Sequence, residues 1–379
     1  MPNIRTCGNI TESRVLQGDQ PLNISEWLAT IPSTLCTGCF AEIEKRSSDV
    51  ERSGGWPRES LQLLATHGVL KGLISELRGG EGWDGPQQLA AYFQLAKSCM
   101  TTAFILTQWH AAIRRLEIHA NGEVWGQWGA GVVSGKVWTT VGFSHLTTSR
   151  QHLQTPPLLA SRIGSTYQLN GYCPWVTGGA FADFIVVGSL TDEGSQILSV
   201  VETQAPGVNA GKGQELMGLS ASCTDRVDFQ NVMIRDEYLL AGPVEQVLKI
   251  GSGGPGGLHT SILALGLASR AIDYLQEQSL NRADFVEPAQ ELQQDLERLI
   301  SEMLVLAVGQ KGISLDQLRQ QANSLALRAT QAAMAAAKGA GYVAQHPVGR
   351  WCREAMFFLV WSCPQSVVRS QVCELAGLT

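Results

Sequence analysis

Apolar residues recur at helical spacing over the first third of the chain. In PRESLQLLATHGVLKGLI, Leu61, Leu64, Val69 and Leu70 keep near-helical spacing, and Gly68 ends the first helix before a second short apolar run. The longer stretch QQLAAYFQLAKSCMTTAFILTQWHAAIRRLEIHA is mostly apolar with small residues in its middle. That pattern predicts buried helices that need a partner surface. The period then changes. GKVWTTVGFSH, GSTYQLNGYCPWVTGGAFADFIVVGSL, SQILSVVETQAPGVNA and CTDRVDFQNVMI are short β-branched runs between Gly, Asn, Asp and Pro clusters. They recur at about ten-residue spacing, which predicts a compact antiparallel barrel or sandwich.

Beyond Gly251 the helical rhythm returns. TSILALGLASRAIDYLQEQSL, AQELQQDLERLISEMLVLAVGQ and SLDQLRQQANSLALRATQAAMAAAKGAG are each long enough for a bundle, and Ser314 with Gln317 reads as a capping box at the head of the third. The fourth member is REAMFFLVWSCPQSVVRS, where an apolar run from Ala355 to Trp361 is broken by Ser362, Cys363 and Pro364. Its apolar half is expected to be bundle core. The fold class is therefore α+β: an N-terminal helical domain over residues 1–134, a central antiparallel β-barrel or sandwich over 135–240, and a C-terminal four-helix bundle over 241–379.

Composition narrows the function without naming it. The net charge of −6 is spread along the chain with no Lys/Arg block, so neither nucleic acid nor an acidic membrane surface is an expected partner. No apolar run approaches the roughly 20 residues that span a bilayer, and the first residues lack the apolar core of a secretion signal. A cytoplasmic location is the expectation, and the nine scattered cysteines fit a reducing compartment. Only Cys36 and Cys39 form a CxxC, without the βαβ context of a redox pair or the second pair of a zinc site, so they are expected to fill a helix turn and no metal is expected. The sequons at Asn9 and Asn23 carry no meaning in the cytoplasm.

Two glycine-rich stretches carry possible chemistry. GSGGPG, residues 251–256, matches GxGxxG literally, but a dinucleotide loop follows a buried strand, whereas the preceding PVEQVLKI looks helical and a Pro interrupts the loop. It reads as an interdomain hinge. PWVTGG, residues 174–179, sets an indole at a strand end beside two glycines, where a planar ring could stack while backbone amides approach its edge; a Trp plugging a barrel end is the competing reading.

In order along the chain, SLQLLATHGVLKGLISELRGGEGW, YQLNGYCPWVTGGAFADFIVV, GLSASCTDRVDFQNVMI, NRADFVEPAQELQ and GAGYVAQHPVGRWCREA resemble successive stretches of the acyl-CoA dehydrogenase family of flavoproteins. The resemblance covers nearly the whole chain and implies FAD as cofactor, with FMN or an exchangeable reduced flavin as variants. It places Trp175 and Thr177 on the flavin ring and Thr139 and Thr140 at its polar edge. Arg282 and Phe285, with Gln293 alongside, are implied to reach the cofactor of a neighbouring subunit, in a homodimer or homotetramer. A guanidinium fork suits a pyrophosphate.

The departures bear on chemistry. Where the family has Gln-x-x-Gly-Gly the chain reads Ala335, Ala336, Ala337, Lys338 and Gly339, and where it has Tyr-Glu-Gly-Thr the chain reads Trp361, Ser362, Cys363 and Pro364. Ser362 thus occupies the position of the proton-abstracting Glu, and a hydroxyl cannot serve as that base near neutral pH without a partner. The TEPxxGSD loop is replaced by TVGFSHLTT, and the first bundle helix offers only His259 and a distant Asp273.

Three functions follow. One is a flavin-dependent oxidoreductase acting on an acyl thioester, such as an acyl-CoA, or a related small molecule, with His110 as candidate base. A second is a reduced-flavin-dependent monooxygenase on the same fold, with His110 and Ser144 supporting oxygen activation. The third is a catalytically inactive binding protein. An electron-transfer flavoprotein or a flavin reductase is the redox partner each enzyme reading implies.

Overall fold

The computed structural model describes residues 24–119, 122–147, 157–251 and 257–378, with backbone alone for Cys36. Residues 252–256 of GSGGPG, and Asn9 and Asn23, lie outside them. The helices of the first part are α1 (Ile24–Leu28), α2 (Ala41–Ser53), α3 (Arg58–Thr66), α4 (Val69–Gly72), α5 (Gly85–Ser98), α6 (Met100–His119) and α7 (Gly122–Val133). Asp84 caps α5 in a reciprocal box with Gln87, and Pro86 sits in the first turn, where a missing N–H costs nothing. Residues Leu35–Phe40, with the CxxC, form a π-helical turn. Burial pushes the Cys39 thiol up to about 12, which leaves it inert.

The strands are β1 (Thr139–Gly142), β2 (Leu158–Ile163), β3 (Thr166–Val176), β4 (Phe184–Thr191), β5 (Gln196–Glu202), β6 (Val208–Ala210), β7 (Asp225–Ile234) and β8 (Leu239–Val244), with the single turn α8 (Ser144–Thr147) after β1. They form one sheet in the order β6-β7-β3-β2-β4-β5-β8, mostly antiparallel. β4 is the exception. Its one edge is shared end to end by β1 and β2, both parallel to it, while β5 lies antiparallel along the other. Flanked on both edges, β4 is buried at nearly every position and reads as a continuous apolar run.

The last part holds α9 (Leu258–Ser279), α10 (Val286–Ala307), α11 (Leu315–Gly341), α12 (Pro347–Met356) and α13 (Gln365–Leu375). The capping box expected at Ser314 and Gln317 is formed in both directions, at 3.2 and 3.0 Å. PVEQVLKI is not an α-helix: its first residues finish β8 and Val247–Lys249 make one 3-10 turn. The fourth bundle member is interrupted. α12 ends at Met356, a 3-10 turn covers Phe357–Leu359, and α13 restarts after Pro364. Ala355 and Phe358 are core, but Val360 is exposed, so only part of the apolar run packs inward. Among the described residues no helix is long and apolar enough to cross a membrane.

Glu354 on α12 is a buried carboxyl beside Arg350, at 3.6 Å. Burial outweighs that cation and raises Glu354 to about 7. A raised carboxyl favours the fold in its neutral form. Its contribution is full below the unfolded value near 4.5 and is lost as pH rises through 7. The Glu354→Gln variant should therefore lose less stability than the parent between pH 5 and pH 8, by on the order of 2–3 kcal/mol. Urea unfolding at the two pH values checks this; equal losses would show that Glu354 is already ionised in the fold.

Candidate functional site

β3 ends in Pro174, Trp175 and Val176. Proline brings no N–H to the ladder, and the β3–β7 register slips between Cys173 and Val176. The slip leaves the Trp175 indole 51% exposed at the strand end, free to take a flat ring on its face. Two residues on, Thr177 is buried, its hydroxyl 3.0 Å from that of Thr224, which lies 2.8 Å from the hydroxyl of Ser222. Gly178 follows with φ +63, and a Cβ there would lie 2.3 Å from the Trp56 ring. Only glycine fits that turn.

Thr139 and Thr140 on β1 are wholly buried, yet neither hydroxyl has a hydrogen-bond partner among the described residues. Orphaned hydroxyls in a core are uncommon and costly, and a polar-edged ligand is one thing that would satisfy them. β1 lies against α6. Trp109 of that helix packs on Trp138, the residue before β1, at 5.9 Å. The open indole and the unsatisfied hydroxyls fit the ring end of a flavin.

The second group of expected residues sits between α9 and α11. The Arg282 guanidinium lies over the Phe285 ring, 3.7 Å from its centroid, and donates to the Ala336 carbonyl at 2.7 Å. Gln293 is engaged elsewhere: it accepts from Gln276 at 3.5 Å and donates to Glu297 at 2.8 Å. Near the end of α11, Lys338 has φ 54 and ψ −147, a backbone region suited to glycine. Lys338 is exposed at this position.

His110 does not stand alone on its helix. Its Nδ1 is 3.0 Å from the hydroxyl of Tyr92 on α5, and its ring is 5.4 Å from that of His259 on α9. Tyr92 and His259 meet edge to face at 4.8 Å. Burial, then the neighbouring His259 and Arg114, hold His110 well below the ordinary histidine range, against a hydrogen bond to the Leu73 backbone. The imidazole is neutral at physiological pH and fixed by its neighbours. Ser144 opens α8, beyond β1.

At the C-terminal break, Ser362 is exposed with φ 51. The turn is held from below. Arg319, buried in α11, donates to the Trp361 carbonyl at 2.5 Å and to the Cys363 sulfur at 3.8 Å. The Trp361 ring stacks on Phe357 at 5.3 Å and meets Phe104 of α6 edge-on at 5.0 Å. No carboxylate belongs to this turn. Sequence reasoning missed Tyr92 and Arg319, because their partners lie across helix pairs and leave no local pattern. Among the described residues no group of three or more His, Cys, Asp or Glu side chains could hold a metal.

No family model matches the chain. Curated relatives include a short-chain-specific acyl-CoA dehydrogenase of Clostridium acetobutylicum, 25% identical over 350 residues, which cover 83% of this chain and 89% of the relative. Among solved structures, butyryl-CoA dehydrogenase of Megasphaera elsdenii superposes with a TM-score of 0.79 at 20% identity, over 94% of this chain and all of the other. The dibenzothiophene monooxygenase TdsC of Paenibacillus sp. A11-2 superposes with a TM-score of 0.71 at 17% identity, over 93% and 98%. It has also been solved with FMN bound.

Lys338 makes no hydrogen bond or ion pair among the described residues that would offset its backbone conformation. Lys338→Gly should therefore stabilise the protein by about 1 kcal/mol, read as a higher urea midpoint at unchanged slope. A lower midpoint would mean that the lysine side chain holds the turn.

Proposed function

We propose that this chain, which resembles acyl-CoA dehydrogenases in sequence and shares their fold, is a flavin-dependent oxidoreductase that acts on an acyl thioester or a closely related small molecule. The observation that carries the reading is the open Trp175 indole at the β3 bulge, two residues from Thr177, on a chain whose fold spans the whole of butyryl-CoA dehydrogenase. A bound flavin supplies the acceptor for a hydride taken from the substrate.

The chain's own residues do the rest. Trp175 covers one face of the ring, and β1 meets its polar edge through its backbone and through whichever of the oppositely directed Thr139 and Thr140 hydroxyls faces it, which gains the partner it otherwise lacks. Arg282, ordered over Phe285, still has guanidinium N–H groups beyond the one on Ala336 with which to hold phosphate oxygens. Ser362 does not remove a proton. His110 is the candidate acceptor in this reading, and because burial depresses its basicity and Tyr92 and the Leu73 backbone engage its ring, it takes a proton only by exchanging one of those bonds.

Beyond the ends of α9 and α11, near the residues that the Arg282–Ala336 bond joins, Leu280 is 84% exposed and Tyr342 90%. A second copy covering them supports a homodimer or homotetramer in which Arg282 serves the neighbour's cofactor. The cysteines without disulfide partners among the described residues accord with work in the cytoplasm, beside an electron-transfer flavoprotein or a flavin reductase.

One observation favours a second reading, a reduced-flavin-dependent monooxygenase. The turn at Trp361–Pro364 holds no carboxylate, and the fold is shared with FMN-bound TdsC. His110 and Ser144 would then support oxygen activation.

Purified protein titrated with FAD should take up the cofactor and turn yellow, and Trp175→Ala should weaken that binding about tenfold, close to 1.4 kcal/mol. A colourless protein indifferent to FAD and FMN would overturn both enzyme readings. Anaerobic bleaching by acyl-CoA thioesters selects the first reading. No bleaching, with substrate-dependent oxygen uptake when reduced flavin is supplied, selects the second.

A further inference from the structure

A cavity of about 400 Å³ opens between the start of α3, the link from α7 to β1 and the turn from β3 to β4. Neither Trp175 nor His110 lines it. Its wall is aromatic. Trp56 and Phe181 lie parallel, 2° apart in plane with centroids at 5.1 Å, and Trp138 meets Trp56 edge-on at 6.0 Å. Trp56 is held in place by Gly178, which leaves it no room to swing back into the turn. Phe181 stays more than a third exposed.

The cavity is also cationic. Arg58 and Lys136 line it, and neither side chain has an ion pair or hydrogen bond among the described residues. The carboxylate beside them, Asp183, already accepts from the Trp138 backbone N–H at 2.7 Å. Two uncommitted cations therefore face one engaged anion, beside ring faces that water solvates poorly. The volume lies in the range of small-ligand sites.

We propose that this cavity binds a small planar anion, an aromatic ring carrying a carboxylate or a phosphate. The ring extends the Trp56–Phe181 stack, and the anionic group is met by Arg58 and Lys136, the arginine as a bidentate fork and the lysine as a point charge. A neutral ring lacks the second contact, and an anion without a ring lacks the first.

The test titrates the full-length protein with 2-naphthoate, 2-naphthyl phosphate and neutral 2-naphthamide, reading heat and tryptophan fluorescence. One-to-one binding of at least one anion is expected, with quenching. Arg58→Gln and Lys136→Gln should each weaken it about three- to tenfold, with a larger loss in the double variant and none for the amide. Both positions are exposed, and circular dichroism checks that the variants fold. The carboxylate and phosphate arms decide which headgroup is preferred. The proposal is overturned by absence of binding at millimolar concentration, by amide binding as tight as the anions', or by anion binding that survives the double variant. Trp175→Ala separates this site from the flavin site: loss of naphthoate binding in that variant alone would also overturn it.

Discussion

The fold hangs on one buried helix. α6 is apolar on most of its circumference, and each of its faces is spoken for by a different part of the molecule. Phe104 meets the C-terminal turn through Trp361, Trp109 meets the strand that begins the sheet through Trp138, and His110 meets α5 and α9 through Tyr92 and His259. A helix this buried cannot rotate without breaking all three contacts, since cores pack at crystal density and respond to displacement as a unit. The candidate residues come from distant stretches of chain. The orientation of α6 bears on their relative positions, because it contacts the N-terminal helices, the sheet and the bundle at once.

Two positions near the C-terminal end of the chain hold backbone shapes that side chains other than glycine adopt at a cost. Lys338 and Ser362 both have positive φ, a conformation that glycine adopts freely and that costs other residues on the order of 1 kcal/mol. At Ser362 the turn is over-determined. Arg319 fastens the carbonyl before it and the sulfur after it, and Trp361 is wedged between Phe104 and Phe357. A buried guanidinium with no carboxylate partner among the described residues is itself expensive, and its hydrogen bonds to the turn are part of what offsets that cost. The scaffold thus constrains where a side chain at 362 can point, whatever that side chain is.

Local signals survived the passage from sequence to structure and long-range ones did not. The capping boxes at Asp84 and Ser314 are written in four consecutive residues, and the β-branched runs announced their strands. The parallel placement of β1 and β2 along one edge of β4 could not be seen, because pairing partners some 30 to 45 residues apart leave no local imprint beyond burial. PVEQVLKI shows the same limit in small. Its helical spacing of Val244, Val247 and Leu248 yielded to the β5–β8 pairing, a tertiary override of a weak local preference. At the site, the exposure of Trp175 followed from Pro174, a readable cause, whereas the company His110 keeps required knowing how three helices pack.

The tryptophans tie the two proposed sites together physically. Trp138 contacts Trp109 at 5.9 Å and Trp56 at 6.0 Å and itself lines the flanking cavity, so one ring touches both the buried helix and the cavity. Thr139, the next residue, is one of the two with an orphaned hydroxyl on β1. A ligand in the cavity would touch Trp138, which lines it one residue before the strand proposed to meet a flavin's polar edge. Trp56, Trp138 and Trp109 form a continuous line of ring contacts whose first two members border open space. Any coupling free energy between two ligands on such a line acts equally on both.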